Sequence, residues 1–174
     1  MTPTLRNIKA FSLVELVAVV GVVSILLLAG IPALIKMSEN NQLKGAARDL
    51  YSFFQKAKLE AIRRNANVVI SLTPGAFSAQ GGVGSYKVFV DDSENFVHDA
   101  GEELIDEIFM PNKISLVSAN FSGTTAAGYT GRGLPANSRF GNAQIRNNGR
   151  WYKITLNISG TVSINISEDG VTWN

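Results

Sequence analysis

Phe11–Met37 reads FSLVELVAVVGVVSILLLAGIPALIKM, and the fold turns on this stretch. Leu16 to Ile35 is 20 residues long and carries no charge, which matches the roughly 20 residues that a helix needs to cross a bilayer. A secretory signal peptide has a shorter apolar core, about 7–15 residues, ending at a small-residue cleavage site. Gly30-Ile31-Pro32-Ala33 imitates such a site, but the apolar run is too long and does not stop at Pro32. Arg6 and Lys9 stand just before it, which predicts a cytoplasmic N-terminus and a remainder outside.

The composition agrees. The chain has 174 residues, enough for one domain or one domain with an appendage. Only 17% of it is charged, against about a quarter in a soluble domain, and the apolar run accounts for the deficit. The absence of Cys excludes a disulfide scaffold, a Cys-ligated zinc site and a thiol nucleophile. A single His, His98, argues against His-rich metal sites and against a Ser-His-Asp triad. The net charge of +2 disappears once Arg6 and Lys9 are removed, so it is no argument for nucleic acid.

Glu15 is the anomaly. A carboxylate at depth in a bilayer costs about 2.5–3.5 kcal/mol on insertion scales. Either it snorkels to the headgroups or it meets a cation at the same depth. No Lys or Arg lies there, but a cut before Phe11 would create an α-amino group. Lys9-Ala10-Phe11-Ser12-Leu13-Val14-Glu15-Leu16 resembles the prepilin processing site of type IV pilins and type II secretion pseudopilins. That resemblance implies cleavage between Ala10 and Phe11, N-methylation of Phe11, and an assembly role for Glu15 as fifth residue of the mature chain. The residue before the cut is usually Gly in that family; Ala10 departs from it but is small. Pro32 falls where the family often has a helix-kinking proline.

From Lys36 the pattern becomes amphipathic. Leu43, Ala46/Ala47, Leu50, Phe53/Phe54, Ala57 and Ala61 recur at three- and four-residue spacing. The spacing predicts one helix from Phe11 to about Arg64, kinked at Pro32 and on the order of 80 Å long. The basic residues on its exposed face read as solvated. Beyond Asn65 come short β runs at Ala66–Leu72, Ser85–Val90, Leu104–Phe109, Lys113–Ser118, Asn142–Arg146, Trp151–Asn157 and Thr161–Ser167. Ser159-Gly160 marks a hairpin between the last two. Ser122–Ser138, rich in Gly, Thr and Ala, reads as a long loop.

AARDLYSFFQKAKLEAIRRNANVVISL, with Gly131-Arg132-Gly133-Leu134-Pro135 and a C-terminal sheet, is similar to the pseudopilin H/FimT-like subfamily of minor pseudopilins and minor type IV pilins. The expected fold class is therefore α+β and pilin-like, a long kinked N-terminal helix packed on a β-rich head of two antiparallel sheets. The expected organisation is a leader over 1–10, a transmembrane half-helix over 11–36, and a periplasmic head over 37–174. The head comprises the amphipathic helix to about 64 and the β-rich part, 65–174. The resemblance implies a non-catalytic subunit held in the bacterial inner membrane by a single pass. Its implied partners are a prepilin peptidase, other pseudopilins or minor pilins, and an inner-membrane assembly platform. Within the family the reading favours type II secretion over a type IV pilus, with DNA uptake third. The alternative of another class is a membrane-tethered periplasmic enzyme or binding module on an ordinary signal anchor.

Residues 91–107 hold eight carboxylates and no Lys or Arg. Asp91, Ser93, Asn95, Val97 (by its backbone), Asp99 and Glu102 fit positions 1, 3, 5, 7, 9 and 12 of a calcium loop. Position 6, which needs Gly, is Phe96. The favoured reading is a solvated acidic hairpin loop with no cofactor, calcium being the weaker candidate. Some members of the resembled subfamily bind DNA through a basic C-terminal motif. The matching place, Ser159–Ser163, lacks its arginines, so nucleic acid is not an expected partner. Arg132, Arg139, Arg146, Arg150 and Lys153 are available to pair with the acidic segment. Trp151, Tyr152 and Trp173 are the aromatic groups a single strand could stack on.

Overall fold

The structure, a computed structural model, describes residues 12–174. It divides into two compact units, one ending at Ser38 and one comprising Glu39–Asn174. Helix α1 (Leu13–Arg64) supplies residues to both.

In the first unit α1 contains Pro32. Proline has no N–H, so the Leu28 carbonyl one turn back loses its ordinary partner. Ser24, the hydroxyl in the apolar run, donates to the Val20 carbonyl at 2.7 Å. That bond satisfies its polar group within the helix, as an apolar surrounding requires.

In the second unit the spacing read from the sequence is the buried face of α1. Leu43, Leu50, Phe54, Ala57 and Ala61 are fully buried, with Ala46, Ala47 and Phe53 beside them. The four alanines let the backbone approach closely, and the two phenylalanines fill the gaps. The helix ends where Asn65 takes a left-handed conformation (φ 50°). Ala66 N–H bonds the Ala61 carbonyl and Asn65 N–H bonds the Ile62 carbonyl. This is the Schellman closure, in which a residue that tolerates positive φ satisfies the last carbonyls. It delays the first strand to Val68, two residues after the run expected at Ala66.

Eight strands follow: β1 (Val68–Thr73), β2 (Ser85–Val90), β3 (Leu104–Phe109), β4 (Ser115–Phe121), β5 (Ala126–Tyr129), β6 (Gly141–Arg146), β7 (Trp151–Leu156) and β8 (Val162–Ser167). They form two four-stranded sheets, β3-β2-β1-β5 and β4-β6-β7-β8. Every pairing within them is antiparallel. The core lies between α1 and the inner faces of both sheets: Ile70, Tyr86 and Val88 from the first, Leu116, Ile145 and Ile154 from the second. The fold is thus the α+β arrangement of one long helix on two antiparallel sheets. Ser159-Gly160 lies in the β7–β8 turn, where Gly160 (φ 75°) donates to the Asn157 carbonyl.

Two elements differ from the sequence reading. Ser122–Ser138 is not a continuous loop, because Ala126–Tyr129 pairs with Val68–Ser71 as β5. Its small residues hide the strand signal, yet the site requires them. A Cβ on Gly128 would stand 2.9 Å from the Val68 carbonyl oxygen. The run expected at Lys113–Ser118 starts later, at Ser115, because Lys113 sits in a turn with φ 67°.

Tyr129 is fully buried, and its hydroxyl has no hydrogen-bond partner among the described residues. Burial pushes its ionisation well above the ordinary tyrosine range. Removing an orphaned buried hydroxyl while keeping the ring is neutral or favourable. Tyr129→Phe should therefore leave urea-unfolding stability unchanged or raise it by up to about 1 kcal/mol; a clear loss would mean that the hydroxyl has a partner in solution. All the buried partners of α1 lie within Glu39–Asn174. A fragment starting at Ser38 should therefore be soluble without detergent and unfold cooperatively. Aggregation of that fragment, with the full chain well behaved in detergent, would show that the head depends on the apolar segment.

Candidate functional site

Ala10 and Phe11, where the resemblance puts cleavage and methylation, lie outside the described residues. Glu15 lies in the first turn of α1 and is exposed. A carboxylate there is favourably placed against the helix dipole. Around it the large apolar side chains from Leu13 to Met37 are exposed, Leu13 at 78% and Leu28 at 77%. By length and composition the helix is able to cross a membrane. Lys36 is the other charge between Ser12 and Ser38, about 30 Å along the helix at 1.5 Å per residue. Glu15 therefore has no cation within reach on its own helix. What this arrangement can do is bind: it offers an apolar sleeve with one carboxylate near its beginning.

On the head, the basic face of α1 is engaged from Lys56 onward, while Lys44 and Arg48 are solvated as expected. Lys56 pairs with Asp106 at 2.8 Å. Arg64 makes a two-pronged pair with Glu103 (2.6 and 2.8 Å) and also meets Glu60 at 2.8 Å. The guanidinium of Arg64, followed by Arg63, holds the Glu60 carboxyl below its usual range; Arg64 does the same to Glu103. Helix cations thus neutralise the C-terminal part of the acidic segment. The C-terminal arginines do not do so: Arg150 approaches Glu168 instead, at 3.9 Å.

Three of the remaining acidic residues, Asp91, Asp99 and Glu102, gather around Ser93. Asp91 is buried (2% exposed) and accepts the N–H groups of Asn95 (3.1 Å) and Phe96 (3.0 Å). The Ser93 hydroxyl oxygen lies 3.1–3.3 Å from carboxylate oxygens of Asp91, Asp99 and Glu102. Asn95 donates to Asp99 at 2.7 Å. Glu102 is held below its ordinary range chiefly by the Asp99 backbone N–H. The spacing Asp91, Ser93, Asn95, Asp99 and Glu102 therefore does bring these five residues together. Phe96 makes the sharp turn without being glycine, at φ 65°. Among the described residues, however, no group of three or more His, Cys, Asp or Glu side chains is arranged to hold a metal ion. His98 is not near any Ser in a catalytic geometry; its Nε2–H donates to the Glu102 carbonyl at 3.2 Å and its ring meets Phe89 edge-on.

Aromatic residues near the C-terminus are also occupied. Tyr152, expected as a stacking surface, is buried (8% exposed). Arg146 lies over both Phe77 (4.1 Å) and Trp151 (4.2 Å), and Lys153 lies over Trp173 (4.2 Å). These cations and rings satisfy one another. The sequence reading missed Lys87 and did not foresee that Arg139 covers the ring of Phe96 at 3.5 Å. The available signal was a lone aromatic inside a polar loop.

Comparison with known proteins agrees with this architecture. The family model of type II transport protein GspH matches residues 46–160. The pilin-like protein PilA1 of Thermus thermophilus is 40% identical over 97 residues, 55% of this chain and 56% of PilA1. The chain thus matches little more than half the length of that relative. Among solved structures, the type IV minor pilin FimU of Pseudomonas aeruginosa has the same fold, with a TM-score of 0.51 at 15% identity, over 74% of this chain and 91% of FimU. With a GspH match across residues 46–160, on a pilin-like fold, the chain belongs to the GspH family of pilin-like proteins.

Proposed function

We propose that the chain is a minor pseudopilin, a non-catalytic structural subunit of a type II secretion pseudopilus. The observation that carries this reading is the exposed apolar sleeve of α1 with Glu15 near its start. The sleeve rests in the inner membrane, with the N-terminus cytoplasmic and the head periplasmic, until a prepilin peptidase cuts between Ala10 and Phe11 and Phe11 is methylated. It then packs against the helices of other pseudopilins above an inner-membrane assembly platform. Glu15 neutralises the Phe11 amine of a neighbouring subunit. An unpaired charge of either sign in that dry bundle would be costly, so the pair fixes axial register. Pro32 bends the helix. No cofactor takes part, and the 91–107 segment serves as a self-bonded acidic loop. The similarity to PilA1 favours a second reading, a minor pilin of a type IV pilus, in which the same sleeve and carboxylate do the same work.

Processing is the first test. Coexpressed with a prepilin peptidase, the chain should lose Met1–Ala10 and gain one methyl group on Phe11, as read by intact mass. A new N-terminus beyond Gly30 would instead indicate a cleaved signal peptide and end the pilin reading.

Glu15→Leu is the second. Membrane insertion should persist or improve, and cleavage should survive. Incorporation with partner subunits should fail, because the neighbour's ammonium is left unpaired. The penalty is several kcal/mol in a dry bundle and less near the headgroups. Pull-down of partner subunits together with a secretion or piliation assay, at equal protein abundance, measures it. Normal assembly would make Glu15 a bystander.

A further inference from the structure

We propose that a cleft on the outer face of the β3-β2-β1-β5 sheet binds a carboxylate presented by an acidic segment of another polypeptide. The cleft has a volume of about 380 Å³. Its floor includes Ser71 and Lys87, opposite one another on β1 and β2, and Ala126 of β5, opposite Ser71. Phe96, Val97, Thr125 and Arg139 complete the lining, with Arg139 set against the ring of Phe96.

The charge in this cleft is one-sided. Lys87 and Arg139 line it, and no carboxylate does among the described residues. The neighbouring loop is rich in carboxylates, but Asp91, Asp99 and Glu102 are turned into their own hydrogen-bond cluster. Glu107 faces Lys87 across the strand pair without forming an ion pair with it. Neither Lys87 nor Arg139 takes part in an ion pair or donates a side-chain hydrogen bond among the described residues. This contrasts with Lys56, Arg64 and Lys113, each paired within 2.8 Å.

The cations are also fixed in advance. The guanidinium carbon of Arg139 lies 3.5 Å from the Phe96 ring centroid, so the ring holds the cation in place. Lys87 lies 5.9 Å over the Phe89 ring. Both halves of the stack carry unfavourable backbone: Phe96 has φ 65°, and Asn137 and Ser138, just before Arg139, have φ 49° and 54°. Non-glycine residues in this region cost energy and tend to gather where a geometry is used. The ligand chemistry follows from these groups. A guanidinium edge recognises a carboxylate through two parallel N–H bonds, and the Lys87 ammonium and the Thr125 hydroxyl are placed in the same cleft. A nucleic-acid strand would require a track of cations and an open aromatic face. Here Phe96 is buried and its ring is covered by Arg139. The inference concerns the head alone, so its failure would leave the filament reading untouched, and the reverse holds.

The test uses the full ¹⁵N-labelled chain in detergent micelles, titrated with an acetylated tetraglutamate peptide and, separately, with an oligothymidylate. The expected result is saturable peptide binding that shifts the Lys87, Val97 and Thr125 amides. Lys87→Gln and Arg139→Gln should each weaken it about tenfold, the size of one lost charge-assisted hydrogen bond. Lys113→Gln, elsewhere on the head, should leave it unchanged. Arg139→Lys keeps the charge but loses the two-pronged geometry and should fall between wild type and Arg139→Gln. If Arg139→Gln does not fold, as judged by its thermal transition, Lys87→Gln and Arg139→Lys carry the result. The proposal is overturned if the peptide does not bind saturably, if the Lys87 and Arg139 variants bind as wild type, or if the oligothymidylate binds more tightly and is lost in the same variants.

Discussion

Two adjacent side chains on one helix each meet a different sheet of the head. Phe53 meets Tyr86 of β2 edge-on, with ring centroids 4.9 Å apart, and Phe54 meets Phe121 of β4 at 5.8 Å. Successive residues on a helix point about 100° apart, so one turn of α1 reaches both sheets. The alanines around them keep the helix close enough for this. A larger group at Ala57 or Ala61, both fully buried, would push the helix off one sheet or the other. β5 obeys a related constraint at the edge of its sheet, because its place beside β1 leaves no room for a side chain at Gly128. Tyr129 at its end is the exception, a large residue whose ring is accommodated while its hydroxyl is left over.

The polar side of the same helix fastens what the apolar side does not reach. Lys56 and Arg64 take Asp106, in the middle of β3, and Glu103, just before it. Lys58 donates to the Gly160 carbonyl of the β7–β8 turn at 3.1 Å, and Asn40 accepts from Asn147 of the β6–β7 turn at 3.0 Å. Exposed ion pairs of this kind contribute roughly 0–1 kcal/mol each. Their effect is positional: loops from both sheets are registered against one rigid element. The acidic segment therefore divides into a part paired with helix cations and a part, around Ser93, whose carboxylates accept hydrogen bonds from their own loop's backbone.

How much of this the sequence disclosed depended on whether the information was periodic. The buried face of α1 was legible because a helix packed along its whole length repeats its contacts every three or four residues, and Leu43 through Ala61 record them. The five residues of the calcium-like spacing were legible as a cluster because they lie within twelve positions of one another. That Phe96 makes the turn was not legible, since backbone conformation at one residue leaves no mark on its neighbours. β5 was hidden because a strand squeezed against another carries small residues, the composition of a loop. The Lys87–Arg139 cleft was invisible because its walls come from β1, β2, β5 and three loops, and no spacing records a meeting of segments so far apart in the chain. The cations of the C-terminal third were visible as charge but not as partners, since Arg146 and Lys153 settle on Phe77, Trp151 and Trp173 rather than on carboxylates.

The two units give one helix two kinds of surroundings, and the proposed function depends on the difference. In the head, burial of apolar surface away from water drives packing, and Leu43, Leu50 and Phe54 are held by it. For an apolar sleeve in lipid that force is absent, because a neighbouring helix is no more apolar than the acyl chains it displaces. Shape and the rare polar contact must then decide which helices associate and in what register. Valines, leucines and isoleucines around the whole circumference from Leu13 to Ile35 offer little to distinguish one register from the next. In the proposed bundle Glu15 distinguishes them, because a carboxylate can be satisfied at one height only, where a neighbour presents a cation. On the proposed reading the residue that costs most on insertion is the one that specifies assembly, and the hydroxyl of Ser24, already satisfied by Val20, is not a competitor for that role.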